Sequence, residues 1–529
     1  MSNVTIFDST LRDGAQAEGI SFSVEDKLKI VKSLDALGIE YIEAGNPGSN
    51  PKDLEFFEKV SKMKLKHAKI AAFGSTRHCH ILVEEDKNVN ALIESGVQTV
   101  VIFGKSWDFH VTDIINTTLE ENLNMIHDTI SYLTQHGKTV FFDAEHFFDG
   151  YIANPNYAFE CLKTAQNAGA SALVLCDTKG GMFPNDIYEI TQKTVRTFKT
   201  PIAIHCHNDC GLGVANSIMA VMAGATQIQG TFTGIGERCG NANLSTIIPS
   251  LQIKKGIKCI NEDAMALLTE TAVKIAEISN FPLQDSEPYV GKSAFAHKGG
   301  MHIDGVNKAP ISFEHIEPTV VGNERKLLTS EVAGRGTILK KIQRFNPSVT
   351  KDSEATEKII NKMKELEHKG YQFEAAESSF ELIIRKELGK HKPFFELVEF
   401  KLIGEQTNLT DKNSAYVMIK IIVDGKEEIT AAEGDGPVNA LDKALRKALE
   451  VFYPELSEVR LIDYKVRVLD GKSATASKVR VLIESGDGKH IWSTVGVSTD
   501  IIQASWIALV DSIEYKLIKD IEEKFMAYL

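Results

Sequence analysis

The 529-residue chain has no Cys-x-x-Cys pair, no apolar run long enough to span a bilayer, no basic stripe and no acidic tail. Each absence excludes something. All seven cysteines precede residue 260, and without paired spacing they read as reduced, small, mostly buried side chains rather than a disulfide framework. The formal charge of −13 is spread over both halves, so nucleic acid is not an expected partner. Neither is a membrane. The first residues run straight into a strand-like segment with no charged-then-apolar leader, so a cytoplasmic location is expected. Small molecules are the partners left. The length exceeds one ordinary core and implies two or more domains.

From the start to about residue 234, short apolar runs alternate with amphipathic stretches. The runs begin at Val4, Tyr41, Ile70, Val100, Val140, Leu173, Ile202 and Gln227. Eight such units suggest a (β/α)8 TIM barrel within an α/β class chain, with a doubly wound open sheet as the alternative. Ser23 and Asp26 have the spacing of an N-terminal cap on the first helix.

The barrel is favoured by where the polar residues fall. Asp13, Glu43, Glu145, Thr178, His205, His207 and Glu237 all lie at or just beyond the carboxyl end of a run, the end on which barrels build their chemistry. In Ile204-His205-Cys206-His207 the imidazoles are two residues apart, so on a strand they share a face. With Asp13 they offer one oxygen and two nitrogens to a divalent ion. Manganese, magnesium, zinc and cobalt all accept such a set. The ion would keep positions open for a chelating substrate such as a 2-oxo acid. Arg12 carries a persistent charge that would stabilise an oxyanion on that substrate, although neighbours on a strand face apart and a turn must reorient one of Arg12 and Asp13. Asn241 is a candidate outer ligand. Glu145 and Glu237 are candidate catalytic carboxylates, Glu237 having an ion pair with Arg238 as its alternative reading. Thr178, Glu43 and Gln16 join Arg12 as candidate substrate-binding groups.

After about residue 260 the alternation stops. We read residues 1–275 as the barrel, 276–385 as a helical linker subdomain and 386–529 as an α+β domain. The linker holds the glycine-rich Gly299-Gly300-Met301-His302-Ile303-Asp304-Gly305 and a charged helical stretch over 352–369. The last domain carries an internal two-fold repeat of strand, glycine turn and helix. One copy runs through Gly434, Gly436 and Pro437 to a helix over 442–451, the other through Gly496 and Ser498 to a helix ending near residue 517. Free N–H groups at such helix starts suit a carboxylate.

Asp8-Ser9-Thr10-Leu11-Arg12-Asp13-Gly14-Ala15-Gln16, Ile204-His205-Cys206-His207-Asn208-Asp209 and Gly236-Glu237-Arg238-Cys239-Gly240-Asn241-Ala242-Asn243 resemble the signatures of the 2-isopropylmalate synthase and homocitrate synthase family. The resemblance spans nearly the whole chain. It implies a metal-dependent TIM barrel, a linker subdomain and a regulatory domain, and condensation of acetyl-CoA with a 2-oxo acid. Segments 12–23, 47–53 and 370–377 resemble the branch that uses pyruvate on a route to 2-oxobutyrate and isoleucine. Residue by residue, it implies metal binding by Asp13, His205 and His207 with Asn241 nearby. It also implies polarisation of the keto group by Arg12, a catalytic Glu145, and substrate-carboxylate binding by Thr178. His302 matches a linker histidine that serves a neighbouring subunit, which implies a homodimer. The family's linker tyrosine has no positional match, because Tyr289 lies upstream of the histidine motif. Isoleucine is the implied effector, bound at the repeated glycine turns. The rivals are a sister synthase with a larger acceptor pocket, an aldolase or lyase on the same barrel, and an inactive amino-acid-binding regulator.

Overall fold

The structure is a computed structural model. It describes residues 3–48, 51–328, 353–373, 376–406, 413–469, 477–488 and 490–527, with 339, 342–343, 345–347 and 349–350. Of the segments that carry the resemblance, Ser49, Asn50, Glu374 and Ala375 lie outside the described residues, as does the first residue of the 352–369 stretch. The chain divides into two compact units, Met1–Ala296 with Glu314–Lys326, and His297–Phe313 with Leu327–Leu529.

In the first unit all eight runs are strands: β1 (Thr5–Asp8), β2 (Tyr41–Glu43), β3 (Lys69–Ser75), β4 (Thr99–Lys105), β5 (Thr139–Glu145), β6 (Ala172–Asp177), β7 (Ile202–Cys206) and β8 (Gln227–Gly230). They pair in sequence order and close, with β8 parallel to β1 and Thr5 opposite Gln227. Closure removes the open-sheet alternative. The intervening helices are α1 (Val24–Leu37), α2 (Pro51–Val60), α3 (Lys87–Glu94), α4 (Leu119–Gln135), α5 (Phe147–Ala153), α6 (Pro155–Asn167), α7 (Pro184–Thr197), α8 (Gly213–Met222), α9 (Leu244–Lys255) and α10 (Leu268–Ser279). The strands are buried on both faces because helices cover the outside and side chains fill the inside. The expected cap is present: Ser23 Oγ accepts from the Asp26 N–H at 3.1 Å, and the Asp26 carboxylate accepts from the Ser23 N–H at 3.0 Å.

The unit does not stop at residue 275. Tyr289, Val290, Phe295 and Val321 belong to the barrel's apolar core, so residues 276–296 and 314–326 pack with the barrel rather than with a linker. Tyr289 itself is a core residue, with Oη 3.0 Å from Ser250 Oγ and its ring against His315.

The second unit contains α11 (Gly300–Lys308), α12 (Glu354–His368) and α13 (Glu377–Glu387). On α12, exposed Lys358 pairs with Glu354 one turn away while Ile359, Ile360 and Met363 are buried. Two β-β-β-α copies follow. The first is β9 (Glu396–Gln406), β10 (Asn413–Val423) and β11 (Lys426–Gly434) with α14 (Pro437–Glu450). The second is β12 (Arg460–Val468), β13 (Val479–Gly486) and β14 (Ile491–Ser498) with α15 (Ile501–Ala527). Both sheets are antiparallel throughout. Two helix bounds differ from the sequence reading. α14 starts at Pro437 rather than 442, since proline at the first helical position loses no hydrogen bond there. α15 continues past 517 to Ala527, supported by the Lys516–Asp520 pair one turn apart.

Candidate metal centre and active site

Where β1 ends, the chain winds into a tight turn: the N–H groups of Arg12, Asp13 and Gly14 all donate to the Ser9 carbonyl at 2.9–3.1 Å. Arg12 and Asp13 are therefore not strand neighbours, and the turn lets both face one place. Asp13 Oδ2 accepts from Arg12 Nη1 at 3.0 Å and lies 3.4 Å from His205 Nε2 and 4.0 Å from His207 Nε2. All three residues are buried, with ligand atoms within 4.8 Å of one another. β7 supplies His205 near its end, and His207 follows, bridged to Asn241 in the loop after β8.

The surroundings orient each group. Arg12 Nε donates to Glu43 Oε2 at 2.6 Å, Ser9 Oγ donates to the same oxygen at 2.5 Å, and the guanidinium lies 3.9 Å over the Phe73 ring. Glu43, expected to touch substrate, thus aims Arg12. His205 Nδ1 lies 3.0 Å from Gln229 Oε1, and Gln229 Nε2 donates to Asp143 Oδ1 at 3.2 Å. The Gln229 contact on Nδ1 turns the ring so that Nε2 faces Asp13.

Charge and burial pull in opposite directions. Burial raises the Asp13 carboxyl, but the Arg12 guanidinium and the two imidazoles outweigh it and hold the group well below the usual carboxylate range. Burial, and then the neighbouring His205, lower the His207 pKa to about 4, so that ring is neutral. Burial also works against a charged His205, yet the hydrogen bond and charge of Asp13 raise its pKa overall. Burial pushes the Asp143 pKa up to about 7.

Asp13 Oδ1, Glu43 Oε1, His207 Nδ1 and Asn241 Oδ1 are buried without a hydrogen-bond partner. Each such group costs roughly 1–3 kcal/mol when unsatisfied. Concentrated around one carboxylate and two imidazoles, these unmet valences fit a divalent ion, and Asn241, bridged to His207 through its backbone, adds an unpartnered oxygen.

Glu145 ends β5 opposite Lys105 of β4, and the two form an ion pair. Thr178 Oγ1 accepts from the His146 N–H at 2.9 Å, leaving its own proton to donate. Gln16 is exposed just after the Asp13 turn. Glu237 is not drawn into the buried cluster. Its side chain is 57% exposed and lies 3.3 Å from Arg238. Arg238 in turn grips Asp209 at 2.8 Å and donates to the Thr178 carbonyl at 2.8 Å. His302 belongs to the second unit, exposed on α11 with its ring stacked on Phe313 at 4.3 Å. Gly434 and Gly436 flank the β11–α14 turn, and Gly496 and Ser498 end β14. A Cβ on Gly434 would lie 2.4 Å from the Ala440 nitrogen, and one on Gly496 would lie 2.0 Å from the Ala504 carbonyl. Close approach of strand to helix therefore accounts for both glycines. Gln229, Asp143, Ser9 and Lys105 were not singled out from sequence. The available signal was the polar alternation Gln227-Ile228-Gln229 inside a run otherwise read as strand.

Family models match three stretches: HMGL-like over residues 3–280, homocitrate synthase post-HMGL domain-like over 289–371, and LeuA allosteric (dimerisation) domain over 374–517. The chain belongs to the HMGL-like family. It is 53% identical over 521 residues to the (R)-citramalate synthase of Aquifex aeolicus, covering 98% of this chain and 99% of that one. It is 50% identical over 522 residues to the (R)-citramalate synthase of Geobacter sulfurreducens, covering 99% of each. The 2-isopropylmalate synthase of Methanocaldococcus jannaschii is 33% identical, covering 98% of this chain and 95% of that one. Within the family the chain is an enzyme of the (R)-citramalate synthase group.

Proposed function

We propose that the chain condenses acetyl-CoA with pyruvate and water to give (R)-citramalate and CoA. The observation that carries this reading is nearly full-length identity of 44–53% to (R)-citramalate synthases against 32–33% to 2-isopropylmalate synthases. The buried Asp13, His205 and His207 cluster supports it.

Asp13, His205 and His207, with Asn241 beside them, would hold a divalent ion of manganese, magnesium, zinc or cobalt. When bound, that ion supplies Lewis acidity to the carbonyl of a 2-oxo acid. Arg12, fixed by Glu43 and Phe73, presents positive charge to the same carbonyl and favours the oxyanion that forms there. The Thr178 hydroxyl donates to the acid's carboxylate, and Gln16 borders that position. Glu145, paired with Lys105, is the rim carboxylate that moves a proton as the thioester's methyl carbon becomes nucleophilic. Water then cleaves the CoA ester, which makes the sequence irreversible.

The domain matched as allosteric suits feedback by isoleucine at the two β-β-β-α turns around Gly434, Gly436, Pro437, Gly496 and Ser498. The pathway placement would be cytoplasmic, on the route from pyruvate through 2-oxobutyrate to isoleucine. Among the described residues no helix is long and apolar enough to cross a membrane. The same matched domain suits a homodimer in which exposed His302 of one chain serves the barrel of its partner.

The test is CoA release from acetyl-CoA with manganese and, in parallel, pyruvate, 2-oxobutyrate, 2-oxoisovalerate and 2-oxoglutarate, with His205→Ala as control. Pyruvate preference abolished by the substitution is expected. Preference for 2-oxoisovalerate would make the activity 2-isopropylmalate synthesis, and preference for 2-oxoglutarate homocitrate synthesis. No thiol release with any acid would remove the acyltransfer reading.

A further inference from the structure

Beside Glu145 lies a ring cluster with no role in the chemistry above. Four residues after β4 the chain makes a π-helical turn, His110–Ile114, a rare geometry that recurs at functional sites. The turn sets the His110 ring 5.1 Å from the Trp107 ring at 20° and 4.2 Å from the His146 ring. His146 directly follows Glu145, and its backbone is left-handed at φ +57°, a conformation that costs a non-glycine residue energy. Its N–H is spent on Thr178. Ser106 is strapped to the Glu145 carbonyl by its Oγ at 2.7 Å, so the His110 turn is anchored to the Glu145 strand end. The His110 Nδ1 is buried and has no hydrogen-bond partner. Burial, and then the nearby His146 and Lys105, lower the His110 pKa, so the ring is neutral and carries a single N–H.

In the proposed condensation the keto acid's polar atoms have protein partners in Arg12, Thr178 and the metal ligands. The thioester carbonyl has none. From the unpartnered nitrogen, the π-turn and the strained neighbour we infer that His110 is a substrate-contacting residue, donating a hydrogen bond from Nδ1 to the carbonyl oxygen of the acyl thioester and holding the acetyl group beside Glu145. Trp107 backs the ring and fixes its plane, much as a packed neighbour fixes any catalytic imidazole. This inference rests on acetyl-CoA being a substrate.

The experiment compares wild type, His110→Ala and His110→Asn, the last keeping an N–H near the Nδ1 position. Steady-state kinetics with each substrate varied, calorimetric binding of acetyl-CoA and bound-metal content are measured together. Loss of one neutral hydrogen bond predicts a fall of about 10-fold or more in kcat/KM for acetyl-CoA in the alanine variant. Weaker acetyl-CoA binding, partial recovery in the asparagine variant, and unchanged metal content and pyruvate KM are expected with it. A kcat/KM for acetyl-CoA within twofold of wild type would overturn the inference. So would equal shifts for both substrates with no recovery in His110→Asn, the mark of a merely structural role. Wild type that binds acetyl-CoA but turns over no 2-oxo acid would remove the proposed condensation alone, leaving His110 to be judged on binding. Wild type that does not bind acetyl-CoA would remove both.

Discussion

The rim of the barrel and the turns of the two β-β-β-α copies look alike in sequence, each a strand end followed by glycine and polar residues, yet the rim gathers several unpartnered buried atoms around one cluster of side chains and the turns do not. At the rim, Asp13 Oδ1, Glu43 Oε1, His110 Nδ1, His207 Nδ1 and Asn241 Oδ1 are all buried and unpartnered. In the second unit, Trp492 Nε1 bonds to Ser512 Oγ, Ser512 to Ser485, and Thr494 Oγ1 to the Ala508 carbonyl, so these buried groups beneath the second sheet are met by the protein itself. The glycines there are used for close packing. Unmet valence at a strand end points to a ligand, whereas a glycine at a strand end need only permit contact between backbone and helix.

Removing a ligand tests the first half of that contrast most severely. Asp13→Asn or His205→Ala is expected to lower turnover by about 10³-fold or more and to lose bound metal, read by kinetics and elemental analysis. Gln229→Leu leaves every ligand in place but frees the His205 ring, so metal affinity in a chelator competition should fall roughly 10- to 100-fold. The same competition sharpens the electrostatic side. In the metal-free chain His205 has a raised pKa and must release a proton before its Nε2 can bind, so affinity falls as pH is lowered through that pKa, by at most about tenfold per unit. Affinity that rises on acidification would contradict this proton balance.

The second half is tested by Gly496→Ala. The new methyl meets the Ala504 carbonyl, and thermal unfolding should show a loss of about 1–3 kcal/mol with metal affinity unchanged. Ser23→Ala removes the α1 cap and should cost about 1 kcal/mol.

Much of the fold was legible. The eight strands follow from apolar runs at barrel spacing, and β8 begins and ends where the run Gln227 to Gly230 does. The cluster of Asp13, His205 and His207 was legible too, because residues two apart on a strand share a face and barrels gather strand ends at one rim. The Ser9-centred turn was not, since three N–H groups converging on one carbonyl is a conformation rather than a composition. Nor were the Gln229–Asp143 relay and the Glu43 clamp on Arg12. Their partners lie 86 and 31 residues apart, and only barrel closure brings them together.

By itself the sequence determined the periodicity of the elements, the ligand types and the doubling of the last domain, because local spacing governs which side chains share a face. Tertiary structure decided which carboxylate orients a neighbour, as Glu43 does, which sits in solvent against an arginine, as Glu237 does, and which buried atoms stay unpaired. Burial and partner geometry are properties of contacts between distant segments, and those exist only once the barrel has closed.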